Sequence, residues 1–94
     1  MEDTIQFLNK MDGLRELAEI LLRENNIDEC INVIREFWSK SNGAYVFMKS
    51  LFRNCREDQY RKIDWIYKEF MPDVYPPMQK RLDMARKQMI ARFS

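Results

Sequence analysis

Two glycines and three prolines are all that this chain of 94 residues has to turn itself with. A many-stranded β fold needs a turn every few residues, and turns draw heavily on those two residue types. Gly13, Gly43, Pro72, Pro76 and Pro77 are too few and too far apart to supply them. The long stretches between them carry apolar residues three and four apart, which is the spacing of an α-helix with one buried face. Apolar residues make up 46% of the chain. That is the ordinary globular share, so a modest core is expected rather than disorder. The expectation is a single domain over residues 1–94 with an all-α fold, a compact bundle of four or five short helices.

The stripes place the helices. Asp3 and Gln6 have capping-box spacing, in which a side chain satisfies a free N–H at a helix start. Phe7, Met11, Leu14, Ala18 and Leu21 follow, broadened by Leu8, Leu17, Ile20 and Leu22. This predicts one helix to about Arg23, weakened or broken near Gly13. Asn25-Asn26 marks a turn, and Asn26 with Glu29 again has capping-box spacing. Ile27, Cys30, Ile31, Ile34, Phe37 and Trp38 form the clearest amphipathic pattern, closed by Gly43 in a left-handed conformation. A third helix is expected over 44–53, with Ala44, Phe47, Met48 and Leu51 inward and Phe52 on its flank. After a turn near Asn54 a fourth carries Tyr60, Ile63, Ile66, Tyr67 and Phe70. It must stop near Met71, because Pro72 disfavours a helical residue before it. Pro76 or Pro77 opens the last helix, with Met78, Leu82, Ala85, Met89, Ile90 and Phe93 as its stripe.

Several function classes fall away. The chain has no histidine, the usual base near neutral pH. It has no phosphate-cradling glycine-rich loop and no nucleophile elbow. Asp58, Asp64 and Glu69 do not share one helical face, so they do not make a metal site. Cys30 and Cys55 are too few for structural zinc and read as buried, reduced thiols, with one disulfide as the lesser alternative. An enzyme is not expected, and neither a cofactor nor a metal is called for. The acidic start, Met-Glu-Asp-Thr, has no secretion signal, and no apolar run reaches the roughly 20 residues of a membrane span. A cytoplasmic setting is expected, or a host cytoplasm if the gene is viral. A bacteriophage origin would fit, but no residue points to a source.

The charge is uneven. Residues 1–36 hold nine acids and four bases, and residues 37–94 hold six acids and twelve bases. Such asymmetry suits an acidic partner or nucleic acid, or the two halves pack and their charges partly cancel. Seven of the twelve aromatics fall between Ala44 and Met71, interleaved with bases. Stacking rings beside cations can bind a single strand, although most of these rings lie on the core stripes. The turn 39–43 also allows a helix-turn-helix with 44–53 as recognition helix. Asn42 and Lys49 stand where such motifs keep apolar residues.

One position breaks its pattern. On the fourth helix Asp58, Arg61, Lys62, Trp65, Lys68 and Glu69 share a charged face. Trp65 there is either an anchor for a partner or is covered by the last helix or the proline segment. As an anchor it would have Arg61, Lys62 and Lys68 around it, with Arg61 or Lys68 able to supply a cation–π contact. The last helix is basic, with Lys80, Arg81, Arg86 and Lys87 as candidates for an acidic partner or nucleic acid. It could also lie on an anionic membrane or exchange between subunits. Met71, Met78, Met84 and Met89 are adaptable packing residues. Together these features suggest a non-catalytic protein that binds another, unidentified protein, as adaptor, inhibitor or accessory subunit, and broad stripes on the outer helices suggest a homodimer. The alternative is a nucleic-acid-binding accessory protein using the basic half.

Overall fold

The computed structural model describes residues 11–37, 43–71 and 74–94. Five helices follow in order: α1 (Met11–Arg23), α2 (Ile27–Phe37), α3 (Gly43–Asn54), α4 (Tyr60–Phe70) and α5 (Pro76–Arg92). There is no strand among the described residues. The fold is the expected compact all-α bundle, with a radius of gyration of 12.5 Å against about 12 Å for a folded chain of this length. The cap at Asp3 and Gln6, the stripe positions Phe7 and Leu8, the Met11 side chain, Trp38, the turn residues 39–42 and Pro72-Asp73 lie outside the described residues.

The ends of the helices follow from local chemistry. Gly13 is helical, within α1. At the end of α1, Asn25 takes a left-handed φ of 55°. Its N–H donates to Leu22 O (3.1 Å), and the Asn26 N–H reaches back to Leu21 O (2.8 Å). That is the Schellman closure, with asparagine in the place glycine usually fills. Glu29 does not complete the expected capping box; its carboxylate accepts from Asn32 Nδ2 (3.1 Å). Pro76 and Pro77 occupy the first positions of α5, where a missing N–H costs nothing.

Gly43 corrects an expectation. It does not close α2 in a left-handed shape, since neither glycine has a positive φ. It opens α3 and lies against α1 and α2. A Cβ added there would stand 3.2 Å from Leu14 Cδ1 and 3.2 Å from Phe37 Cβ. The glycine therefore serves close packing.

α3 is the central helix. Phe47, Met48, Leu51 and Phe52 are fully buried, and Ala44, Val46 and Ser50 nearly so. Eight of its twelve residues are buried, so only Tyr45, Lys49, Arg53 and Asn54 reach solvent, a narrow face for a recognition helix. α1 contributes Leu14, Ala18, Leu21 and Leu22 to this core, and α5 contributes Leu82, Ala85 and Met89. The ring of Phe52 meets Tyr67 edge-on at 5.3 Å. Arg92 fastens the end of α5 to the end of α3, its Nη2 donating to Phe52 O (3.0 Å) and Cys55 O (3.3 Å). That satisfies carbonyls a helix end leaves open. Phe93 then stacks on Tyr60 at 5.0 Å. α5 is thus docked within its own chain.

A buried amide ties two corners together. Gln59 is 1% exposed. Its Nε2 donates to Leu22 O and to Asn25 Oδ1, both at 2.9 Å. Its Oε1 accepts from the Arg56 N–H at 3.1 Å. The α1–α2 turn and the α3–α4 turn are therefore joined by one fully satisfied side chain. Among the described residues no buried side-chain nitrogen or oxygen lacks a partner, as expected of a native core.

Candidate functional site

α4 turns Ile63, Ile66 and Tyr67 into the core. One residue is about 100° from the next around a helix, so Trp65 points away from Ile66 and is 46% exposed. α5 does not cover it fully, and Pro72-Asp73 of the proline segment lie outside the described residues. Its indole meets the Phe70 ring edge-on, with centroids 5.5 Å apart and planes at 86°. Phe70 is half-buried, and the guanidinium of Arg35, from α2, stands 5.0 Å from its centroid. Trp65, Phe70 and Arg35 thus form one exposed aromatic-cationic face across α4 and α2.

The bases expected around Trp65 have other partners. Arg61 lies 5.7 Å from the Tyr60 ring centroid, and its Nε donates to Tyr60 Oη at 3.3 Å. Lys62 Nζ pairs with Asp28 Oδ1 at 2.8 Å, which joins the acidic and basic parts of the chain. Lys68 Nζ pairs with Asp64 Oδ2 at 3.1 Å. The cation–π contact on this face comes instead from Arg35. Sequence reading missed it because the two residues are far apart in the chain. The only trace was an exposed arginine on the polar side of α2.

The second group of candidates is divided. Lys80, Arg81 and Lys87 are exposed on α5. Arg86 turns inward, and its Nε and Nη2 both bond the Asp64 carboxylate. Burial pushes the Asp64 carboxyl upward, but the hydrogen bonds from Arg86 and Lys68 and their charges outweigh it. The group is held below its ordinary value. Beside this pair, Tyr67 Oη donates to Asp83 Oδ1 at 2.8 Å. Desolvation first, and the Asp83 hydrogen bond and charge after it, raise the phenol. Tyr67, Lys68, Asp83 and Arg86 all line a cleft of about 280 Å³ between α4 and α5. Each is engaged with a neighbour, so the cleft acts as a latch between the helices and offers no unengaged acid or base.

Other chemistry is sparse. Cys30 and Cys55 are buried thiols. Burial, then the charge of Glu29, pushes Cys30 up to about 12, and burial also raises Cys55. Neither is a thiolate nucleophile near neutral pH. Among the described residues no cluster of His, Cys, Asp or Glu could hold a metal ion. No described helix is long and apolar enough to cross a membrane. Comparison of the chain with known protein families, with curated proteins and with solved structures finds no match in any of the three.

Proposed function

We propose that this protein works without catalysis, by binding another protein through the face centred on Trp65. In that role it would be an adaptor, an inhibitor or an accessory subunit. The observation that carries the reading is the half-exposed Trp65 seated against Phe70, which itself lies under Arg35. Tryptophan and arginine are the residue types on which binding energy concentrates. A ring already held by a neighbour also loses little freedom when a partner covers it. The exposed Lys62–Asp28 pair lies on a neighbouring turn and suits a polar rim. A second copy of this chain is one such partner.

A nucleic-acid role would rest on Lys80, Arg81 and Lys87, since Arg86 is held by Asp64. Three exposed cations make a small phosphate footprint, which favours the protein reading. The test is affinity capture with wild type and Trp65→Ala as baits, alongside sedimentation of both for self-association. The expected result is a partner, or a dimer, that is lost with Trp65→Ala while the urea midpoint stays in place. Capture and sedimentation that are identical for the two proteins would sink the proposal.

A further inference from the structure

α1 and α3 run side by side in the same direction. Leu14 packs by Gly43 at one end, and Leu22 faces Asn54 and Arg56 at the other. Between them lies a groove made of two adjoining hollows. One, of about 300 Å³, includes Glu19, Arg23, Asn54 and Arg56 in its wall. The other, of about 160 Å³, includes Arg15, Glu19, Lys49, Arg53 and Asn54. Glu19 and Asn54 belong to both. The groove therefore gathers cations from the acidic first third of the chain and from α3, which the linear sequence keeps apart. Its walls hold a single acid, Glu19, among the described residues.

The state of these cations matters. Arg23 and Arg53 are exposed on opposite walls. Lys49 is half-buried, with its ammonium 3.4 Å from Tyr45 Oη and 5.6 Å from that ring's centroid. Arg56 is turned to Asp58, by Nε at 3.1 Å and Nη2 at 3.2 Å. Arg23 and Arg53 thus present planar guanidinium forks, which match the two oxygens of a carboxylate or phosphate.

We infer that the α1–α3 groove binds an acidic segment of a partner protein, with carboxylates at Arg23 and at Lys49–Arg53 and a neutral or basic residue over Glu19. Two features favour a peptide over a nucleic acid. A phosphodiester chain laid along the groove would carry its evenly spaced charges past the Glu19 carboxylate, whereas a peptide can vary its charge residue by residue. Among the described residues the groove also lacks an exposed ring for a base, because Tyr45 is half-buried beneath Lys49, and base stacking is what holds single strands in such grooves. The inference stands apart from the Trp65 face, which is built on α2 and α4.

The test is fluorescence anisotropy of the full chain at low salt with two labelled probes. One is a peptide with glutamate pairs flanking a central lysine, and the other is an oligothymidylate of equal net charge. The peptide is expected to bind saturably, and Arg23→Gln with Arg53→Gln to weaken it about tenfold or more, the scale of losing charge-assisted contacts. Lys80→Gln with Lys87→Gln, and Trp65→Ala, are expected to leave peptide binding unchanged. Both groove residues are exposed, so an unchanged melting midpoint would confirm that the variant is folded. Absence of saturable peptide binding, or equal binding by the groove variant, would overturn the inference. Tighter, groove-dependent binding of the oligothymidylate would overturn it in favour of nucleic acid.

Discussion

Ile66 and Trp65 are neighbours on α4 whose side chains meet different surroundings. Ile66 is fully buried against the core, while Trp65 is left almost half in solvent. A similar contrast separates Gln59 from Lys62 at the start of the same helix. Gln59 is a polar residue whose amide is wholly enclosed and bonded on both sides. Lys62 is a polar residue whose ion pair lies in water. One face of α4 contributes stability through burial and satisfied hydrogen bonds. The other carries the exposed Trp65 indole and an ion pair in water, a kind of contact that stabilises little. Residue type alone therefore does not assign a role: here an amide is structural and an indole is exposed.

The largest expected effect that separates these faces is on Ile66→Ala. Truncating a fully buried branched side chain costs about 3 kcal/mol through lost transfer energy and the cavity left behind. Urea unfolding followed by circular dichroism would show it, and a loss below about 1 kcal/mol would mean that the two faces are not as different as described.

Gln59→Ala comes next, at about 2 kcal/mol, because Leu22 O and the Arg56 N–H are left without their buried partner. The same variant should speed amide exchange at the α1–α2 turn, measured by hydrogen exchange, since that turn would lose its tie to α4.

Asp64→Asn is expected to cost about 1 kcal/mol, between the values for exposed and buried ion pairs. Its pH signature is specific. Asp64 has a folded-state carboxyl below its ordinary value. Its contribution is therefore complete above the unfolded-state value, about 4, and is lost as pH falls through the lower folded value. Acid titration of stability should show a shallower decline for Asp64→Asn than for wild type. An identical acid limb would mean that the Arg86 and Lys68 contacts do not persist in solution.

The smallest effects belong to the outer face. Trp65→Ala should change stability by less than about 1 kcal/mol, and Lys62→Ala by less than about 0.5 kcal/mol. A collapse of the melting midpoint for Trp65→Ala would place its indole in the stability of the fold and remove the basis for a contact face.

Much of the architecture is legible in the sequence. The stripes on α2 and α3 depend on period alone, and Ile27, Cys30, Ile34, Phe37, Phe47 and Leu51 are all buried as that period requires. The ends of α1 before Asn25-Asn26 and of α4 at Phe70 were legible because turn-forming asparagines and a following proline act within a few residues. The candidate face was only half legible. Trp65 stood out as an apolar residue among charges, but Arg35 did not, and Phe70 read as core when it is half-covered. The Arg92 clasp, the Gln59 tie and the inward turn of Arg86 all join residues more than 20 positions apart, and no local pattern encodes such a contact.

That this chain is helical, roughly where each helix lies and which side of each is apolar follow from the order of its residues. Periodicity, caps and prolines act over one or two turns, within reach of a linear reading. Packing in three dimensions settles the rest: that α3 is the central helix, that Gly43 permits close packing, that Gln59 is enclosed, and which cations are engaged by neighbours. Exposure and ion pairing depend on what other helices bring into contact, and that follows from how the stripes pack against one another.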